Sequence, residues 1–372
     1  MMHLVFREIV AKASVEARQE TVAPQHMPYN SLSSQLVCPK DDLSKLSKKV
    51  SKPAHSRYNK VDEMASSSRA NGFYRPRSAL ARALYEKQNN DRYLEELDQN
   101  EWYRVNKDRL SPELVSKFVQ LYPDKETKQF LSSSIEKSSW VWTQCWYLIA
   151  KAVLRHFWSV TDINGWLGRG SMFVLSEAQA QALLRPGGPA IGAGALVDVG
   201  AGDGEVSRRF AHIYPHNYAT EISASMRKTL ANKGYKILDT ESWHRYRQFD
   251  CICMLNLLDR CNKPKTMLLQ AKDALAPGGI LLLALVLPYK PYVEVTPDHK
   301  PEERLPIEGV DFEGQLATFV KFMREEVGFE LVSWTRAPYL CEGDFAQAYY
   351  WLDDSVYVFK STADTPAISK TS

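Results

Sequence analysis

Residues 195–205 read ALVDVGAGDGE: an apolar run, then three glycines in five positions, then an acid. Leu196–Val199, apolar but for Asp198, reads as a buried strand, and Gly200, Gly202 and Gly204 predict a tight turn into a helix starting near Glu205. Glycines in such a turn supply positive φ and let a ligand approach the bare backbone. In α/β folds that ligand sits beyond the carboxyl ends of the strands, over a helix N-terminus.

The spacing selects among ligands. A dinucleotide fingerprint is G-x-G-x-x-G, whereas this turn is G-x-G-x-G followed by Glu205. A pyrophosphate would meet Asp203 and Glu205, two carboxylates that repel it, and no G-K-[ST] follows for a P-loop. The acids Asp198, Asp203 and Glu205 favour a cation instead. S-adenosylmethionine, with a sulfonium, an ammonium and no phosphate, is the expected cofactor. Glu221 closes the next apolar run, NYATE, seventeen residues beyond Gly204, where a carboxylate accepts both hydroxyls of a ribose. Asp239 or Glu241, after the third run, is placed to face the adenine.

The surrounding pattern is strand, helix, strand. Apolar runs lie at 195–199, 217–221, 235–238, 249–256 and 279–287, with helical periodicity at 205–213, 223–233 and 264–275. That alternation predicts a parallel sheet with crossover helices. FELVSWTRAPY and SVYVFK, at 329–339 and 355–360, have no helix between them and read as an antiparallel hairpin on the sheet edge. Upstream, LSPELVSKFVQLY carries helical spacing after an N-cap candidate at Ser111, SSWVWTQCWYLIAKAVLRHFWSV reads as a long aromatic helix, and SEAQAQALL as a short capped one. We expect residues 1–95 to be a largely disordered basic tail with a short helix near Ser78–Tyr85. Residues 96–190 are expected to form a helical cap on the substrate side, 191–362 the cofactor-binding core, and 363–372 a flexible end.

The fourth run ends in Asn256-Leu-Leu-Asp-Arg260, beside which a transferred methyl would lie. Methyltransferases acting on amide or adenine nitrogens often carry Asn/Asp-Pro-Pro-Tyr/Phe there; the prolines are absent, which argues against those substrates. Tyr289 and Tyr292 follow the fifth run, and Tyr339, Tyr349 and Tyr350 accompany Glu342 and Asp344 near the C-terminus, so aromatic and acidic side chains gather at predicted strand ends.

Composition bounds the rest. The chain has 372 residues, 44 % hydrophobic and 24 % charged, with nine Trp and eighteen Tyr, which is a globular balance with a sizeable core. Net charge is +3, but residues 1–90 carry fifteen Lys and Arg against eight Asp and Glu, a surplus of +7 that leaves −4 for the remainder. A mildly acidic catalytic region speaks against nucleic acid as partner. The six cysteines form no C-x-x-C and no Cys/His set with zinc spacing, so reduced thiols and no metal are expected. No uncharged apolar run reaches about 18 residues, so no transmembrane segment is expected. The N-terminus is too charged for a secretory leader.

LVDVGAGDGEV, YATEIS, LNLLDRC, LALVLPYKPYVE, RAPYLCEGD and the upstream INGWLGRGSMF together resemble the DREV-type methyltransferase family, from about Trp102 to Lys360. The glycine motif is generic; LNLLDRC, PYLCEGD and GRGSMF in one chain are specific. The resemblance implies a Rossmann-like, seven-stranded class I methyltransferase sheet with an antiparallel last strand, S-adenosylmethionine as donor and monomeric action. Its characterised members methylate the pros nitrogen of histidine in His-x-His motifs of other proteins. It puts cofactor contacts on Gly200, Glu221, Asn256 and Tyr339, and substrate contacts on Asp259 and Tyr350. With the residues read above, the candidate cofactor set is Asp198, Gly200, Gly202, Gly204, Glu221, Asn256 and Tyr339. The substrate set is Asp259, Arg260, Tyr289 and Tyr350, and the catalytic set is Asn256, Asp259 and Tyr350. Asp259 is the expected acceptor for the second ring N–H of a substrate imidazole. The chain contains no His-x-His, so its substrates are expected to be other proteins. Some relatives carry a hydrophobic leader and are associated with the endoplasmic reticulum or mitochondrion; without an evident leader, an intracellular site including the cytoplasm is the expectation here. The alternatives are a methyltransferase for a small molecule or RNA, and a catalytically silent cofactor-binding scaffold.

Overall fold

The computed structural model describes residues 78–154, 163, 167–168, 170–187, 194–293 and 296–362. Residues 1–77 of the expected tail, residues 155–162 at the end of the expected aromatic helix, residues 164–166 and 169 within INGWLGRGSMF, residues 188–193 and the C-terminal end from 363 lie outside the described residues.

Among those described, one mixed sheet of eight strands organises the chain. In chain order they are β1 (Met172–Phe173), β2 (Ala195–Val199), β3 (His216–Thr220), β4 (Lys236–Leu238), β5 (Phe249–Leu255), β6 (Leu275–Val286), β7 (Phe329–Glu342) and β8 (Tyr349–Ser361), arranged β1-β7-β8-β6-β5-β2-β3-β4. The five apolar runs are the parallel strands β2 to β6. The expectation of seven strands is corrected to eight: Met172 and Phe173 pair antiparallel with Cys341 and Leu340, adding a two-residue edge strand. The C-terminal hairpin is not a simple edge addition either. Its second arm, β8, inserts between β6 and β7 and is antiparallel to both.

Nine α-helices are described: α1 (Ala79–Glu96), α2 (Pro112–Ser116), α3 (Lys125–Ser139), α4 (Val141–Leu154), α5 (Glu177–Leu184), α6 (Arg208–Ala211), α7 (Ala224–Asn232), α8 (Pro264–Ala274) and α9 (Phe312–Phe322). Local chemistry sets their starts. Ser78, Asp124, Ser223 and Asp311 cap α1, α3, α7 and α9 by accepting a backbone N–H. Ser176 and Gln179 form a reciprocal capping box at α5, and proline occupies the first turn of α8. The helix expected near Ser78–Tyr85 runs on to Glu96, so that stretch is longer in helix than its polar composition suggests.

Two helices are shorter than their periodicity predicts. The segment after Ser111 is helical only to Ser116, because Lys117 and Val119 exchange backbone hydrogen bonds with Trp334 of β7 at 3.0 and 2.8 Å. The helix expected at 205–213 is the single turn α6, since the residues after the third glycine are held in turns.

The sheet is buried on both faces, as continuous apolar parallel strands require. Val197, Ile252, Met254, Leu281, Leu283 and Leu285 face Leu268 and Ala271 of α8 and Leu316 and Phe319 of α9. Alternate residues Leu196, Cys251, Cys253, Ile280, Leu282 and Ala284 face Leu131 of α3, Leu183 and Leu184 of α5, and Trp102 and Tyr103. Cys251 and Cys253 are free thiols with sulfurs 3.7 Å apart, and Cys261 forms no disulfide. No described helix is long and apolar enough to cross a membrane.

Candidate active site

The glycine turn leaves β2 with φ of 73°, 57° and 75° at Gly200, Gly202 and Gly204. A side chain would be strained at each of these positions. Space is short as well: a Cβ on Gly200 would lie 2.8 Å from a Leu257 methyl, and one on Gly204 2.7 Å from a Leu230 methyl. The turn is stitched to the neighbouring strand end. Gly200 and Ala201 donate to the Thr220 carbonyl at 3.1 and 3.0 Å, and Gly202 donates to Glu221 Oε2 at 2.9 Å. The other Glu221 oxygen accepts the Ser223 amide at 2.9 Å. Each carboxylate oxygen still has a lone pair, so the half-buried Glu221 retains capacity for ribose hydroxyls.

Asp198 lies deeper. It is 2 % exposed, and burial, with Glu221 and Asp203 nearby, pushes its carboxyl up to about 7 despite a hydrogen bond from Ser207. Ser207 in turn bonds the Tyr235 hydroxyl at 2.9 Å, so Asp198 is held by a buried polar chain under the turn. The other acids of the turn are partly neutralised. Burial raises Asp203, whose carboxylate accepts the Glu205 amide at 3.0 Å. Burial also opposes ionisation of Glu205, but Lys233 at 2.6 Å and Arg208 at 3.1 Å outweigh it and lower its pKa. Of the residues read as facing the adenine, Asp239 spends its Oδ1 on the Glu241 amide and on the amide and hydroxyl of Ser242, closing its own turn. Glu241 is exposed.

The end of β5 carries the second half of the site. Asn256 has φ of 58°, is 6 % exposed, and donates Nδ2–H to Asp354 Oδ2 at 2.9 Å. Asp354 belongs to β8, where it stands opposite Val286 at the carboxyl end of β6 and Ala337 of β7. Three buried oxygens here have no hydrogen-bond donor: Asn256 Oδ1, Asp259 Oδ1 and Asp354 Oδ1. Such acceptors are costly unless a ligand or water supplies the donor. Asp259 is raised by burial, against the lowering influence of Arg260, and Asp354 is pushed up to about 8 by burial and by the Asp259 charge, against the Asn256 bond.

Tyr339 is 4 % exposed, and burial holds its phenol well above the usual range; Arg260, Asp259 and Asp354 all act on it electrostatically. Its hydroxyl meets the Met172 sulfur of the edge strand. Tyr289 is also buried, with a donor-less hydroxyl oxygen whose pKa is raised first by burial and further by Cys261 and Asp259. The segment carrying it is tied to the β5 end by Tyr292 N–H donating to the Asp259 carbonyl at 2.8 Å. Asn256, Asp259, Arg260, Tyr289, Tyr339 and Asp354 are thus one neighbourhood. Tyr350 is set further out on β8, four residues from Asp354, roughly 13 Å along a strand. Its hydroxyl reaches Asp344 at 3.4 Å, which joins it to the hairpin loop.

The DREV methyltransferase family model matches residues 102–361. The chain belongs to the DREV methyltransferase family. The match spans the whole sheet, including the edge strand and the C-terminal hairpin. Among solved structures, the chain is similar to the N-methyltransferase NodS from Bradyrhizobium japonicum WM9 in complex with S-adenosyl-L-homocysteine. The two are 12 % identical over 45 % of this chain and 78 % of that one, with a TM-score of 0.30. It is also similar to DhpI in its complex with S-adenosylhomocysteine, at 14 % identity over 62 % of this chain and 97 % of that one, TM-score 0.33.

Membership of a methyltransferase family accords with S-adenosylmethionine as the cofactor, and the DREV site carries groups that fit it. The bare turn at Gly200 offers backbone approach, Glu221 offers an acceptor for ribose, and the donor-less oxygens of Asn256 and Asp354 suit an ammonium. An anionic diphosphate would meet Asp198 and Asp203, while the described cations at the turn are already engaged: Lys233 Nζ donates to the Asp203 carbonyl and to Glu205, both at 2.6 Å, Arg208 pairs with Glu205 at 3.1 Å, and Arg209 donates to the Glu205 carbonyl.

Asp354, Ser207 and Tyr235 join the candidate site through the structure and were not singled out from the sequence. For Asp354 a signal was there: an acid directly before the strand SVYVF, in a position where a continuous apolar run would be expected. Ser207 and Tyr235 had none, since their link to Asp198 forms only through the fold.

Proposed function

We propose that this DREV methyltransferase transfers the methyl of S-adenosylmethionine to the pros nitrogen of histidine in His-x-His segments of other proteins. One observation carries the reading. Asn256, bonded to Asp354, and Asp259, close enough to act on Asp354 electrostatically, each keep a buried oxygen without a donor at the carboxyl end of the sheet, so the site asks for groups that bring N–H. A cationic cofactor and an imidazole both do so.

Bound S-adenosylmethionine would supply a methyl activated by its sulfonium, which the ring nitrogen takes as the thioether departs. The chain's residues have two tasks. Glu221 and the glycine turn hold the nucleoside side, and Asn256 with Tyr339 lies at the amino-acid side. Asp259 Oδ1 accepts the N–H of the ring nitrogen that must not react, which fixes the tautomer and offsets the positive charge that develops on the ring. A strong base is unnecessary, because histidine with an ordinary pKa near ~6.5 is substantially neutral at pH 7. Holding the two reactants in register then contributes about 7–11 kcal/mol. Tyr350 and Tyr289 are assigned to the walls that receive the peptide.

The test is methyl transfer from labelled S-adenosylmethionine to a His-x-His peptide, with fragmentation mass spectrometry locating the methyl. We expect a singly methylated imidazole at the pros nitrogen. Label on another residue type would refute the histidine reading, and label only on RNA or on small molecules would favour the other acceptor classes.

A further inference from the structure

We infer that Asp354 is the residue that recognises the ammonium of the cofactor's amino-acid end, acting together with the donor-less side-chain oxygen of Asn256. This rests on S-adenosylmethionine as cofactor and extends it to a side chain on the antiparallel strand.

Asp354 is fully buried on β8, level with the carboxyl end of β6, and its Oδ2 accepts Asn256 Nδ2–H at 2.9 Å. That bond decides which way the amide of Asn256 points. With Nδ2 committed to Asp354, Oδ1 is left as an acceptor, and it has no donor; Asp354 Oδ1 has none either. Asn256 is held for this purpose in a left-handed backbone conformation, φ 58°, which asparagine tolerates better than most residues. Its own amide is fixed by the Ala284 carbonyl at 3.0 Å. Two adjacent acceptors, one belonging to an acid, match a primary ammonium, which brings three donors and a charge.

Other charged and titratable groups around Asp354 do not supply that match. Asp259 and Arg260 approach from the end of β5, Tyr339 from β7, and Tyr357 from its own strand, while β6 contributes the backbone of Leu285. Without a ligand, burial and Asp259 hold the Asp354 carboxyl up at about 8, so it carries its proton at neutral pH. An arriving ammonium favours the carboxylate and expels that proton.

Calorimetry with S-adenosylhomocysteine, which keeps the same amino-acid end, tests this. In two buffers of different ionisation enthalpy at pH 7.5, the wild-type chain should release a fraction of a proton on binding. The affinity should rise with pH toward 8.5. Asp354→Asn should bind at least tenfold more weakly at pH 8.5, with a smaller gap at pH 6.5, and should lose the proton release. Its melting temperature should match or exceed wild type, since a buried acid is replaced by a neutral isostere. If Asp354→Asn binds within twofold of wild type at both pH values, or wild type releases no proton, the assignment is wrong while the cofactor reading stands. If wild type does not bind S-adenosylhomocysteine at any pH, both are wrong.

Discussion

The backbone amide of Gly202 donates to Glu221 Oε2 at 2.9 Å, which locks the glycine turn to the acid at the end of the neighbouring strand. The two sequence features read as cofactor signals are therefore one structural unit. Glu221 also accepts the Ser223 amide, so it shapes the entry to α7 as well as the ligand crevice.

Replacing Glu221 by Ala should weaken S-adenosylhomocysteine binding about 10- to 100-fold, the loss of one or two hydrogen bonds to a charged acceptor. Calorimetry checks it. Unchanged affinity would remove Glu221 from the ribose role.

Two glycines separate ligand effects from backbone strain. Gly200 and Gly278 share nearly the same φ, 73° and 74°, but a Cβ on Gly200 would press on Leu257 whereas one on Gly278 would meet nothing within 4 Å. Both Gly→Ala changes should cost about 1–2 kcal/mol from the left-handed backbone. Only Gly200→Ala should abolish cofactor binding. Equal binding losses would mean that the turn acts through stability alone.

Asp259→Ala should leave S-adenosylhomocysteine affinity within about threefold and cut turnover on a His-x-His peptide at least tenfold, because the lost acceptor orients the substrate ring. Steady-state kinetics paired with calorimetry distinguish this from a general loss of fold. Wild-type turnover would contradict the assignment.

Asp198 and Asp354 make stability depend on pH in a defined direction. Both are raised by burial, to about 7 and about 8, from an ordinary 3.8, so the folded chain keeps these protons to higher pH than the unfolded chain does. Their stabilising contribution is complete below about pH 4 and is lost as pH climbs through 7 to 8. The melting temperature of the ligand-free protein should fall between pH 5.5 and 8.5, and Asp198→Asn should flatten part of that fall. A profile that rises with pH over this range would show that neither acid is protonated in the folded chain.

The parallel half of the fold was legible because β2 to β6 are apolar on both faces and separated by helices or sharp turns, a pattern that survives in one dimension. The edge strand was not, because two residues, Met172 and Phe173, become a strand only where Leu340 and Cys341 lie beside them. The early end of α2 has the same origin: Lys117 and Val119 leave helical spacing to pair with Trp334, more than two hundred positions away. In the site, Glu221, Asn256 and Asp259 stand at strand ends and were visible as polar residues closing apolar runs. Asp354 escaped because its place beside Asn256 depends on β8 inserting next to β6.

The bare turn after β2 and the acceptor cluster at the end of β5 are proposed to hold one S-adenosylmethionine between them. Crystals soaked with S-adenosylhomocysteine test it most directly. The expected result is the nucleoside ribose against Glu221, backbone contact at Gly200, and the amino group against Asn256 and Asp354. An empty crevice at saturating ligand, or a nicotinamide dinucleotide bound there instead, would contradict it.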